Sequence, residues 1–107
     1  MRGAVIAALV LGLSAPTPAS AYFIPGNDAY SECKKSRSWC QAFALGAVDA
    51  YSAVADPALG KFCFPEGTRS GQIADILLQQ LESKPEERHL PATFTLFTRL
   101  LEVFPCP

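Results

Sequence analysis

Residues 90–107 read LPATFTLFTRLLEVFPCP, and this stretch predicts the fold class more directly than any other part of the chain. Large apolar side chains recur in it at steps of four, three, four and three residues. They are Leu90, Phe94, Phe97, Leu101 and Phe104. This spacing places them on one face of an α-helix, which Leu96, Leu100 and Val103 widen. Pro91 suits the first turn of that helix and Pro105 ends it.

Three further helices are predicted upstream, over about residues 29–35, 36–54 and 69–83, with Ser36 or Ser38 as the cap of the second. The second helix has an apolar stripe at helical spacing. Its members are Trp39, Ala42, Phe43, Ala47, Ala50, Tyr51 and Val54. Gly46 interrupts this helix, and we expect it to admit the close approach of another helix. We therefore expect an all-α bundle of about four helices. The aromatic residues expected in its core are Trp39, Phe43, Phe94, Phe97 and Phe104.

The first 21 residues have the features of a secretory signal peptide. Arg2 supplies a positive start, residues 4–13 are apolar, and Ala19-Ser20-Ala21 is a small-x-small cleavage site. We expect cleavage after Ala21, which leaves one domain over residues 22–107. An exported chain meets oxidising conditions, so its four cysteines predict a framework of two disulfides. Disulfides suit a domain this small, because its hydrophobic core alone gives only marginal stability.

Charge and hydropathy exclude two classes of partner. Without Arg2, eight Lys and Arg residues face ten Asp and Glu residues, so the mature domain is mildly acidic and unsuited to nucleic acid. No apolar stretch approaches the ~20 residues that a membrane helix needs. We expect a soluble protein in the bacterial periplasm.

The chain lacks the usual patterns of catalysis and metal binding. It contains no Gly-x-Ser-x-Gly elbow and no phosphate-binding loop. Its one histidine, His89, lies in a charged turn, and no Cys-x-x-Cys zinc knuckle accompanies the cysteines. We predict no enzymatic activity, no catalytic residue, no bound metal and no cofactor.

Three pairings of Cys33, Cys40, Cys63 and Cys106 are possible. Cys40–Cys63 with Cys33–Cys106 requires the loop over residues 55–67 to return to the start of the second helix. Cys33–Cys40 with Cys63–Cys106 keeps that loop at the far end. Loop entropy contributes ~3.4 and ~4.4 kcal/mol in the first case, against ~2.4 and ~4.0 kcal/mol in the second, a margin too small to decide.

Four segments together resemble a known family. They are CQAFALGAVD at 40–49, CFPEGT at 63–68, LESKPEERHLPA at 81–92 and FPCP at 104–107. This order is similar to that of the Rap/Tai immunity proteins. Those are small periplasmic helical bundles, often dimers, that protect bacteria from type VI secretion effectors that are peptidoglycan amidases. The resemblance implies a helical scaffold, an amidase effector as partner and a possible homodimer. It also favours the pairing Cys40–Cys63 with Cys33–Cys106.

The function implied is inhibition of the effector by occluding its active site. Our leading contact residues are Glu86, Glu87, Arg88 and His89, which form a charged turn between two strong helices. The loop from Lys61 to Arg69 is the second candidate, through those two basic residues. An alternative is an HdeA-like periplasmic stress chaperone, or an envelope protein without a fixed partner.

Overall fold

The computed structural model describes residues 21–107, and this part of the chain forms four α-helices. They are α1 (Gly26–Lys35), α2 (Arg37–Val54), α3 (Ser70–Ser83) and α4 (Ala92–Val103). Short 3-10 turns at Pro57–Leu59 and Pro85–Glu87 lie in the loops before α3 and α4. The described residues are 69% helical and contain no strand, so the predicted all-α class is confirmed. The predicted signal peptide falls outside them, apart from Ala21.

Helix α3 makes the most extensive contacts in the bundle, because it packs against all three other helices and against the 3-10 turn before α4. Its Leu77 and Leu81 and the α4 residues Leu96 and Leu100 are the largest fully buried side chains. Burying one such leucine stabilises the fold by about 1.5–3 kcal/mol. Four alanines are also buried in the core. They are Ala29, Ala44, Ala74 and Ala92, each at most 2% exposed. Small side chains at these positions allow the close packing of the larger ones.

The apolar stripes of α2 and α4 face the core through different residues from those expected. On α4 the centre of the buried face is Leu96 and Leu100, while Phe94 is 45% exposed. On α2 the buried residues are Cys40, Ala44 and Val48. The expectation that the aromatic residues form the core is wrong for Phe94 and confirmed only in part for the other four, which pack against the core from its edge. Most of them lie half-buried at its edge because the interior between the helices is filled by leucine and alanine.

The disulfides join Cys33 to Cys40 and Cys63 to Cys106. The pairing that we favoured, Cys40–Cys63 with Cys33–Cys106, is therefore wrong. Cys33 and Cys40 meet because only Ser36 separates α1 from α2, and its extended backbone turns the chain back on itself. Its side chain also caps α2, accepting a hydrogen bond from the Trp39 N–H at 3.1 Å.

The second disulfide follows from where the loop after α2 lies. The Tyr51 hydroxyl donates to the carbonyl oxygens of Leu59 (3.3 Å) and Gly60 (3.0 Å), and the Tyr51 ring stacks on Phe62. These contacts hold the loop at the far end of α2. The Cys63 N–H then donates to the Phe104 carbonyl at 2.9 Å, which brings Cys63 beside Cys106.

The structure around Gly46 differs from the predicted one. It is exposed, and no atom of a neighbouring element lies within 4 Å of the position a Cβ would take. The expected close approach of another helix at Gly46 is therefore wrong. A close approach of this kind occurs instead at Gly26, at the start of α1.

Candidate partner-binding surface

The charged turn before α4 is fixed to the start of α1 by main-chain hydrogen bonds. The Gly26 N–H donates to the Leu90 carbonyl and the Asn27 N–H to the Arg88 carbonyl, both at 2.8 Å. The first N–H groups of a helix have no partner within it, and α1 has no side-chain cap. The carbonyls of the turn replace that cap. Because these carbonyls point at α1, the turn has a fixed backbone.

The residue at position 26 has to be glycine because the backbone of the turn lies very close to it. A Cβ built on Gly26 would lie 2.9 Å from both the Arg88 Cα and the Arg88 carbonyl oxygen. Ordinary contacts between carbon atoms are about 3.5–4.0 Å. Backbone atoms cannot swing away as a side chain does, so a larger residue at this position forces the turn and the helix apart.

The Arg88 side chain holds the turn against α3 and α1. Its Nε donates to the Leu81 carbonyl oxygen, and its Nη2 donates to the Glu82 carbonyl oxygen at 3.3 Å. These are unpaired carbonyls of the last turn of α3, where a positive charge is also favoured by the helix dipole. The guanidinium lies 3.9 Å from the centre of the Tyr30 ring, a cation–π contact that links the turn to α1. No sequence pattern indicated this role of Arg88, since Tyr30 lies far away in the chain.

The other three residues of the turn point outward. Glu86 and His89 are exposed and Glu87 is partly so. None of their side chains makes a hydrogen bond or an ion pair with another described residue. Two carboxylates and an imidazole are therefore available on a fixed backbone. This combination is suited to contact with another molecule and contributes little to the fold.

Lys61 and Arg69 lie away from the turn. Arg69 directly precedes α3 while the turn follows it, and 14 helical residues span about 21 Å. Lys61 is next to the bridge between Phe62 and Pro105, beyond the C-terminal end of α4. The two candidate contact regions thus occupy opposite ends of the bundle, and the structure does not bring them together.

An apolar stripe, half-buried at the edge of the core, runs along α2 and continues onto α4. The Trp39 and Phe43 rings stack at 5.1 Å, and Val54 at the other end of α2 is 82% exposed. Between them lies a shallow groove of about 360 Å³ with no charged residue in its lining, formed partly by Tyr51 and Phe97. The stripe is the set of α2 residues that the sequence pattern assigned to the core.

The described residues contain no cluster of three His, Cys, Asp or Glu side chains arranged to hold a metal ion. None of their helices is both long and apolar enough to cross a membrane. One ion pair joins α2 to α3, with Arg37 Nη1 2.8 Å from Asp75 Oδ1. The hydrogen bond to Asp75, with the charge of that carboxylate, raises the pKa of Arg37. This contact lies at the solvent-exposed surface and shapes no pocket.

Residues 25–106 match the model of the Rap1a immunity proteins. This chain belongs to the Rap1a immunity protein family. The match covers both disulfides, the turn and all four helices, so the recognition made from the sequence motifs is confirmed. Immunity proteins of this family generally have no enzymatic activity. No curated protein and no solved structure matches the chain at a significant level.

Sequence reasoning missed two residues at this end of the molecule. Phe23 is 97% exposed, and Ile24 beside it packs against the core. The Tyr22 hydroxyl lies 3.4 Å from the His89 carbonyl oxygen, which connects this entry segment to the turn. Adjacent apolar residues in an extended segment point to opposite sides, so the pair Phe23 and Ile24 could have indicated one exposed and one buried side chain.

Proposed function

We propose that the mature protein, residues 22–107, is a periplasmic immunity protein that binds and inhibits a peptidoglycan amidase effector of type VI secretion. In this proposal export ends with cleavage after Ala21, and the protein acts by occluding the active site of the effector. Membership of the Rap1a family supports an immunity function. The two disulfides fit an exported protein.

One observation carries the mode of inhibition: the turn combines a fixed backbone with free charged side chains. Three groups hold it, namely the α1 N–H donors, the close contact at Gly26 and the Arg88 guanidinium. A binding element that is already ordered loses less entropy on association. The carboxylates of Glu86 and Glu87 and the imidazole of His89 are then presented to polar groups that line a catalytic cleft.

Arg88 enters this proposal as a residue that positions the turn. Its side chain is engaged by α3 and Tyr30, so it contributes to the contact by fixing the direction of its neighbours. Lys61 and Arg69 are proposed as a second contact region at the opposite end of the bundle. One effector reaches both regions only if it lies along the length of α3 or α4.

A homodimer is a further part of the proposal, and the apolar stripe on α2 is the surface that supports it. Its groove is uncharged and Val54 and Leu59 are 82% and 64% exposed. An exposed apolar patch of this kind suits contact with a second copy across a two-fold axis. Sedimentation of the wild-type protein and of a Val54→Glu variant tests it, and a monomer at all concentrations contradicts it.

The function is tested by calorimetric titration of the mature protein into a purified peptidoglycan amidase with a cysteine nucleophile, encoded by a neighbouring gene. We expect nanomolar affinity and loss of amidase activity at one equivalent. The variants Glu86→Gln and Glu87→Gln should weaken binding. Glu102→Gln is the comparison variant and should weaken binding less, because Glu102 is an exposed carboxylate at the far end of α4 that pairs with Arg99 at 3.0 Å. Absence of binding by the wild type would overturn the proposal.

A further inference from the structure

We propose that Phe23 is an anchor residue of the partner-binding surface and that it inserts into an apolar pocket of the effector whose rim carries basic groups. This inference rests on the proposed function and extends its contact surface from the turn to the segment that precedes α1. It concerns a residue that forms no part of the turn itself. Three properties of Phe23 support it.

The first property is exposure on a fixed backbone. The phenyl ring is 97% exposed, the highest value among the exposed large apolar residues of residues 21–107. The backbone that follows it is held, because the Ala92 N–H donates to the Ile24 carbonyl at 3.1 Å and the Gly26 N–H donates to the Leu90 carbonyl at 2.8 Å. Ile24 also packs against the core. The ring is therefore presented from a fixed point and buries almost nothing within its own chain.

The second property is its position beside the turn. The residue before it, Tyr22, is 42% exposed and its hydroxyl reaches the His89 carbonyl oxygen. The residue pair Pro25–Pro91 and the Gly26–Leu90 hydrogen bond continue the same junction. Two adjacent aromatic side chains and the charged turn thus form one continuous surface. Interface centres are enriched in large aromatic residues surrounded by a polar rim, and this surface has that composition.

The third property is the charge around the ring, which selects the occupant. Glu86, Glu87 and the exposed Asp28 in the first turn of α1 supply three carboxylates, which outnumber the Lys84 ammonium and the α-ammonium group that cleavage after Ala21 leaves on Tyr22. An anionic lipid surface is disfavoured by these carboxylates. A second copy related by a two-fold axis would place the same acidic groups opposite each other. A protein pocket with apolar walls and a basic rim fits both the ring and the carboxylates.

Phe23→Ala and Phe23→Leu variants of the mature protein test the proposal against the neighbouring amidase by calorimetry. We expect Phe23→Ala to weaken binding by about 30-fold or more, the size of a hot-spot truncation. Phe23→Leu should recover part of the loss because it restores apolar volume. The control is Val103→Ala, an apolar truncation at the opposite end of α4 near the second contact region, which should weaken binding by much less than Phe23→Ala.

Thermal unfolding separates contact from folding, since a ring that is 97% exposed should be removable without a change in melting temperature. If the wild type and the glutamate variants behave as proposed but Phe23→Ala binds like the wild type, this inference is wrong and the proposed function stands. If the wild type binds no amidase, both are overturned. An equal loss for Val103→Ala would also contradict the inference, because the effect would then be unspecific.

Discussion

Replacing Gly26 by alanine is the most direct test of how the turn is held. The added methyl group would lie 2.9 Å from the Arg88 Cα and 2.9 Å from its carbonyl oxygen, with the Arg88 carbonyl carbon at 3.2 Å. Restoring ordinary contact distances of about 3.5–4.0 Å requires α1 and the turn to separate by roughly half an ångström or more. The two hydrogen bonds of 2.8 Å that cross this junction would then lengthen.

The expected cost follows from these contacts. Overpacking by one methyl group costs about 1–3 kcal/mol, and weakening a main-chain hydrogen bond adds up to about 1 kcal/mol. Alanine offsets about 0.4–1 kcal/mol by restricting the unfolded chain. We therefore expect Gly26→Ala to lower the free energy of unfolding by about 1–3 kcal/mol. For a domain of this size that corresponds to a fall in melting temperature of about 4–20 °C.

The matched control is Gly46→Ala, because Gly46 lies inside α2 with nothing within 4 Å of its Cβ position. Alanine there should raise the free energy of unfolding by about 1 kcal/mol through helix propensity alone. Both variants are compared by urea unfolding of the oxidised mature protein, followed by circular dichroism. Opposite signs are expected for the same chemical change. A Gly26→Ala protein as stable as the wild type would refute the argument that the turn is held by close backbone contact.

Three further changes test other parts of the structure. Thr95 is 2% exposed and its hydroxyl has no hydrogen-bond partner among residues 21–107. Thr95→Val should therefore raise the free energy of unfolding, measured in urea, by about 1 kcal/mol. A loss of stability would show that the hydroxyl does have a hydrogen-bond partner. Arg88→Ala should lower the free energy of unfolding by about 1–3 kcal/mol. Arg88→Lys should recover little of that stability, because an ammonium cannot reach both α3 carbonyls while it lies on the Tyr30 ring. Cys63 and Cys106 are exposed, so a mild reductant should reduce their disulfide before the buried disulfide that joins α1 to α2. Peptide mapping after partial reduction measures the order, and simultaneous reduction of both disulfides would contradict this.

The helices were predictable because their ends are marked locally. The hydroxyl of Ser36, the Asp56-Pro57 pair and Pro105 each act on neighbouring residues, and the observed α2 and α4 begin and end within a residue or two of the expected positions. The choice of buried stripe was not predictable in the same way. Helix α4 is apolar on more than one side, and which side faces α3 depends on how leucines and alanines of different helices fit together.

The disulfide pairing failed for a related reason. It depends on which end of α2 the loop occupies, and that is decided by Tyr51 through contacts with Leu59, Gly60 and Phe62. The candidate site shows the same division. The exposed charges of the turn were evident from the sequence, whereas the partners of Arg88 and the exposure of Phe23 depend on packing between segments that are distant in the chain.

The structure separates the residues that build the turn from those that are proposed to bind. Gly26 and Arg88 cannot change without moving the backbone, because one is in contact with main-chain atoms and the other occupies carbonyls of α3. The side chains of Glu86 and His89 have no partner within the described chain, so their replacement costs the fold little. A binding surface built in this way can be altered to suit a different effector while its shape is kept. We therefore expect substitutions at these two positions to change affinity without changing the midpoint of urea unfolding.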